Sequence, residues 1–124
     1  MTTTLAAPTT ALFCNLDENL SNELRSALGD SSLDMAATDC SSLDECIEHA
    51  KEAAPQVIFC PFSTQLITLL ASVNSHLHGI PVVVVTRHPE AHEWIDSIEA
   101  GASDYCSAPF EPRQLRWIIS ATRQ

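Results

Sequence analysis

Cysteine supplies the most reactive side chains in this chain, at Cys14, Cys40, Cys46, Cys60 and Cys106. Three of them, Cys14, Cys60 and Cys106, fall near the ends of short apolar runs (ALFC, VIFC and DYC). Thiols gathered at one edge of a sheet can hold a soft metal ion or carry redox chemistry. The competing reading is three small buried hydrophobes on core strands, and the alternating pattern argues that they do not all face the same way. The cysteine count is odd, the spacings are wide and no CxxC occurs, so a disulfide framework is not expected. The histidines offer less. His88 and His92 stand four apart across a helix start and His76 and His78 lie at a helix end, but no HExxH and no neighbouring Cys supports a metal site. Thr86 and Tyr105 add a hydroxyl and a phenol near strand ends. Each can be part of a switch, but a satisfied strand-end hydroxyl for Thr86 and a statically packed ring for Tyr105 are the favoured readings.

The elements that must position these groups follow from periodicity. Residues 11–15 (ALFCN) read as a first strand. Asp17 or Asn19 can cap a helix with Leu20, Leu24 and Leu28 on one face, closed by Gly29. Residues 33–38 (LDMAAT) form a weak second strand, and Ser41 or Ser42 caps a helix over 43–53 with Cys46, Ile47 and Ala50 inward. In PQVIFCPFS the apolar run 57–60 reads as a strand buried on both faces. A helix over 63–76 carries Leu66, Leu69, Leu70 and Val73, and Gly79 ends it. Residues 82–86 (VVVVT) are the clearest strand. Pro89 suits the first turn of a helix that keeps Ala91, Ile95 and Ile98 inward and stops at Gly101. A short strand at 104–106 and a helix from Pro112, with Leu115, Ile118, Ile119 and Thr122 inward, complete the chain. Five strands alternating with five helices predict one three-layer α/β domain over 11–124, a doubly wound parallel sheet covered on both faces, behind a flexible tail over 1–10.

Composition narrows the function classes. Six basic residues stand against sixteen acidic ones, a net charge of -10, which argues against direct nucleic-acid binding and against an anionic membrane surface. No apolar run approaches the roughly 20 residues of a membrane span, and the first ten residues lack a signal peptide's basic start, so a cytoplasmic location is expected.

With the elements placed, the chain resembles the receiver domain of response regulators, the CheY-like, flavodoxin-like module of two-component phosphorelay signalling. The stretch Glu99-Ala100-Gly101-Ala102-Ser103-Asp104-Tyr105, followed by Ala108-Pro109-Phe110, carries most of the likeness. Residues 82–86 match a fourth strand ending in a switch Thr, and 55–61 match the third strand. The likeness spans 11–123. It implies a strand order of 2-1-3-4-5, the first and fifth helices on one face, and a cis Ala108-Pro109 bond.

The resemblance breaks at the chemistry. Family members hold Mg²⁺ with two adjacent acids after the first strand, take phosphate on an Asp after the third, and balance its charge with a Lys after the fifth. The matching positions here are Asn15-Leu16, Pro61 and Ala108, with Asp17 surviving beside the acid pair. Mg²⁺ seeks hard oxygen ligands, usually including one or two carboxylates, yet Asn15 offers one neutral oxygen and Leu16 none. Proline has no nucleophile, no acid lies between Glu52 and Glu90, and without the Lys no fixed cation would balance a phosphoryl group. The switch pair of the family, Thr86 and Tyr105, is present. The chain therefore resembles a degenerate pseudo-receiver.

What the resemblance implies is a non-enzymatic signalling module that acts by phosphorylation-independent protein contact and needs no cofactor or metal. An emptied site that binds a small ligand or senses metal or redox state stands as the alternative. The contact surface is expected on the fourth and fifth helices, with Glu90, Glu93 and Trp94 on one and Arg113, Arg116 and Trp117 on the other. By helical phase Trp117 points away from the core, and outward Trp and Arg are favoured contact anchors. A second copy, another protein partner or an output domain are the candidates to dock there. The N-terminal part of a transcription regulator and a stand-alone module both remain open.

Overall fold

The computed structural model describes residues 9–30, 35–76 and 80–122. Ten elements alternate: β1 (Thr9–Cys14), α1 (Glu18–Asp30), β2 (Met35–Cys40), α2 (Leu43–Ala53), β3 (Val57–Pro61), α3 (Leu66–His76), β4 (Val82–Thr86), α4 (Ala91–Ala100), β5 (Asp104–Ser107) and α5 (Pro112–Thr122). The strands pair in parallel in the order β2-β1-β3-β4-β5, as expected.

Alternation along each strand separates two cores. Ala11, Phe13, Val57, Phe59, Val83 and Val85 face α1 and α5. Leu12, Ile58, Val82 and Val84 face the other way, toward Cys46 and Ala50 of α2 and Leu66, Leu69 and Leu70 of α3. The first and fifth helices thus share a face. On it Phe13 and Phe59 meet edge to face with ring centroids 5.8 Å apart.

Local signals set the helix starts. Asp17 Oδ1 accepts from the Leu20 N–H at 2.7 Å and caps α1. Ser42 caps α2 by accepting from the Glu45 N–H, while the Glu45 carboxylate reaches back to the Ser41 N–H and hydroxyl. The Ala108-Pro109 bond is cis.

Several boundaries differ from the sequence reading. β1 begins at Thr9 and ends at Cys14, because Asn15 turns to φ 61. Thr9 and Thr10 therefore belong to the sheet, while the rest of the expected tail, residues 1–8, lies outside the described residues. β2 runs Met35–Cys40, displaced from 33–38 because its register follows β1, Thr9 opposite Met35 through Cys14 opposite Cys40; residues 33 and 34 lie outside the description. Gly29 sits inside α1, which continues to Asp30. α3 starts at Leu66, because 63–65 close a turn in which the Leu66 N–H donates to the Ser63 carbonyl and the Gln65 N–H to the Ser63 hydroxyl. Gly79, His78 and the side chains of His76 and Thr122 also lie outside the described residues.

The largest correction concerns α4. The sequence reading puts Ala91, Ile95 and Ile98 inward, yet Ala91 is exposed and Ile95 and Ile98 are 49% and 42% exposed, whereas Ser97 is fully buried. Pro89 lies before the helix, whose cap is Glu90 in an extended conformation. Two anchors fix this phase. At the start, Tyr105 Oη accepts from the Glu90 N–H and donates to the Glu93 carboxylate. At the end, Gly101 adopts φ 116 and the Ala102 N–H donates to the Ser97 carbonyl. Glu93, Ser97 and Ala100, spaced i, i+4 and i+7, consequently face the sheet, and Trp94, Ile95 and Ile98 face out.

Urea unfolding checks this phase. Ile95→Gln should change stability by no more than about 0.5 kcal/mol, as at an exposed site. Leu24→Ala should cost about 2–5 kcal/mol. Ser97→Ala, which removes a buried hydroxyl with no hydrogen-bond partner, should be neutral or stabilising. A loss at Ile95 as large as that at Leu24 would return α4 to the phase read from sequence.

Candidate functional site

The carboxyl ends of the five parallel strands lie along one edge, where open α/β sheets place their sites. β1 delivers Cys14, then Asn15, whose positive φ is tolerated by Asn and whose N–H donates to the Cys40 carbonyl at 2.8 Å. Leu16 is half-buried and packs against the α1/α5 core. Asp17 is exposed; besides capping α1, its carboxylate lies 3.5 Å from Arg87. β3 delivers half-buried Pro61. β4 delivers half-buried Thr86, whose hydroxyl accepts from the His88 N–H and whose carbonyl accepts from the Ala108 N–H. Beyond β5, Ala108 packs on the same core as Leu16.

The expected site residues therefore come together at the edge, where Leu16 and Ala108 join the core and Pro61 offers no nucleophilic atom. A small cavity remains between Cys14, Asn15, Cys60, Pro61 and Leu66, with a volume of about 10 Å³. That is room for one water-sized molecule. Among the described residues, no group of three or more His, Cys, Asp or Glu is placed to hold a metal ion. His88 is exposed, and His92 lies 3.7 Å from Glu90 and packs edge-on against Phe62.

One charge at this edge was missed from sequence. Arg87 follows Thr86, and its guanidinium donates to Glu23 at 2.7 Å as well as pairing with Asp17. The Glu23 bond holds its pKa above the usual arginine range. Arg87 thus ties the loop after β4 to α1 across the sheet edge. The available signal was its position, a rare cation directly after the clearest strand. Arg25 was also missed. It pairs with Asp39, donates to the Ala37 carbonyl and lies 5.3 Å from the centre of the Phe13 ring, joining α1 to β2. Ser21 donates to the same Asp39 carboxylate at 2.6 Å.

The expected contact surface is distributed around the edge strand β5, with α4 and α5 flanking it from opposite faces of the sheet. Trp94 is 53% exposed and Trp117 69% exposed. Glu90, Arg113 and Arg116 are exposed, whereas Glu93 is half-buried under Tyr105. With Ile95 and Ile98, Trp94 makes a larger apolar surface than the sequence indicated.

No family model matches the chain. A stretch of 41 residues, 33% of the chain, is 44% identical to Protein PetR of Rhodobacter capsulatus and spans 17% of that protein. Solved structures resemble nearly the whole chain. HP1043, an orphan response regulator of H. pylori, aligns with a TM-score of 0.73 at 18% identity, covering 94% of this chain and 97% of that one. The chemotaxis protein CheY4 of Vibrio cholerae aligns at 0.70 and 16% identity, covering 94% and 99%. NtrX of Brucella abortus aligns at 0.77 and 17% identity, covering 94% of this chain but 27% of that longer one. The chain therefore has the flavodoxin-like α/β fold of CheY-type receivers. At these identities the likeness is one of architecture.

Tyr105, the sole tyrosine, reports directly on this edge. Burial raises its phenol pKa, the neighbouring Glu93 carboxylate adds to the rise, and the Glu90 N–H opposes it. A raised phenol favours the neutral form in the folded state. That stability is present in full below the unfolded value of about 10 and is lost as pH rises through the folded value. Ultraviolet titration of the folded protein should give a midpoint above that of the unfolded chain, and Glu93→Gln should lower it. A midpoint equal to the unfolded value would break the link between β5 and α4.

Proposed function

We propose that the chain is a receiver-like signalling module that works by protein contact and without phosphorylation of an aspartate. One observation carries this reading: the sheet edge where a receiver would do its chemistry presents Leu16, Pro61 and Ala108, two of them packed into the core. The fold likeness to response regulators supports the signalling class, and the longer chain of NtrX illustrates a receiver-type fold within a larger protein. On this reading the module is non-enzymatic, needs no cofactor, acts in the cytoplasm and conveys a signal to a partner or output domain, for instance that of a transcription regulator. No helix among the described residues is long and apolar enough to cross a membrane, consistent with that location.

The contact surface proposed is α4 and α5. Trp94, Ile95 and Ile98 form an exposed apolar strip, which marks contact surfaces in small domains. Beside it stand exposed Glu90, Asp96 and Glu99, while α5 exposes Arg113, Arg116 and Trp117. An acidic-apolar helix and a basic-aromatic helix complement each other across two copies. A small-ligand sensor at the strand ends is less well supported, since the cavity there holds about 10 Å³.

Two measurements test the proposal. After incubation with a small phosphodonor and Mg²⁺, intact-mass spectrometry should show no phosphoryl adduct; a stable acid-sensitive adduct would overturn the phosphorylation-independent reading. Light scattering should show self-association of the wild type that weakens by tenfold or more, about 1.4 kcal/mol, in Trp117→Ala and Arg116→Glu. A wild type that stays monomeric at high concentration removes the homodimer.

A further inference from the structure

α4 has two flanks with different chemistry. On the flank toward β5, Trp94 lines a hollow with Tyr105. Asp96 and Glu99 lie on the other flank, where they border an open groove of about 290 Å³ between α4 and α3. Its apolar lining is Phe62, Leu66, Ile67 and Ala100. Ile67 is 69% exposed, as much as Trp117. An apolar cavity of roughly 150 Å³ admits a benzene ring, so this groove has room for an indole.

The charges beside the groove have no partner within the chain. On α4, Glu93 is held by Tyr105 and Glu90 lies 3.7 Å from His92. Among the described residues, Asp96 and Glu99 are in no ion pair. The same division holds for the cations: Arg25, Lys51 and Arg87 pair with acids of this chain, whereas Arg113 and Arg116 do not. Arg113, Arg116 and Trp117 share one exposed stripe of α5, at i, i+3 and i+4. Asp96 and Glu99 are also three apart on a helix, so the two acids and the two arginines have matching separations of about one turn.

We propose, building on α5 as a contact helix, that the α3/α4 groove receives the Arg113–Trp117 stripe of a second copy. The indole enters between Phe62 and Ile67, and the guanidiniums meet Asp96 and Glu99. The aromatic anchor then supplies apolar burial, and the arginine–carboxylate pairs fix its direction.

The topology makes this contact head-to-tail. α5 covers the core that holds Phe13 and Phe59, and α3 covers the one that holds Leu12 and Ile58, on the opposite face of the sheet. A copy that offers its α5 to a neighbour turns its own groove away from that neighbour. Two copies therefore cannot exchange the contact reciprocally. Contacts of this kind close into rings or extend as filaments, so association continues past the dimer as concentration rises.

Sedimentation velocity over a concentration series tests this on the whole chain. The wild type should grow past the dimer. Ile67→Glu and Trp117→Ala change exposed side chains and leave the core intact, and each should weaken association about tenfold or more. Trp94→Ala, on the β5 flank, should alter it by less than about twofold. The two weakened variants are then mixed. Trp117→Ala keeps its groove and Ile67→Glu keeps its α5, so together they retain one working junction and should form a one-to-one complex that grows no further. If Ile67→Glu associates like the wild type while Trp117→Ala does not, α5 stays a contact helix and the groove is not its receptor. If Trp94→Ala weakens association as much as Trp117→Ala, the β5 flank is the receptor instead. A mixture that stays monomeric, or a wild type that stops at the dimer, overturns the head-to-tail geometry. A wild type that is monomeric at high concentration removes the second copy from both this groove and the α4/α5 surface.

Discussion

Burial of the central strands on both faces is the constraint on which the rest depends. Val57–Cys60 and Val82–Val85 have essentially no exposed surface. Their backbone groups must therefore pair along the sheet, and their side chains must be covered by helices above and below. Parallel pairing then requires a crossover after every strand, which the helices supply. Because the strands run the same way, all five carboxyl ends meet at one edge. The location of the candidate site, the packing of the cysteines and the exposure of α4 all follow from that arrangement.

Packing dominates part of this edge. Leu16 and Ala108 extend the α1/α5 core outward, where ionised groups would otherwise need a metal or a counter-charge. The charges that remain balance locally. Asp17 caps α1 and pairs with Arg87, and Glu23 pairs with Arg87 as well. Such exposed pairs contribute modestly to stability, but they hold the loop after β4 in register with α1. An edge organised in this way has little need of a bound ion to be electrically satisfied.

Less covered apolar surface appears at the other side of the sheet. β5 is an edge strand of four residues, and α4 crosses beside it with its phase fixed by Tyr105 at one end and Gly101 at the other. In this phase Ile95 and Ile98 stay exposed, and an edge helix has little sheet beneath it to cover a wide apolar stripe. The outcome is an apolar strip beside acidic residues on α4 and a basic-aromatic face on α5.

The sequence by itself determined the element order and the two-faced strands, narrowed the first two caps to Asp17 or Asn19 and Ser41 or Ser42, and placed no acid between Glu52 and Glu90. These are legible because they rest on residue type or on neighbours within about one helical turn. The ends of β1, β2 and α3 were legible only to within a few residues, since register with a neighbouring strand and the turn at Ser63 set them. Tertiary structure alone decided three matters. It set the phase of α4, where distant anchors competed with local hydrophobicity. It joined Arg87 to Glu23, partners 64 positions apart. It gathered Cys40, Cys46 and Cys60 into one core with Cys14 and sent Cys106 to the opposite core, because strand order and pleat, which no local pattern encodes, choose which thiols share a face.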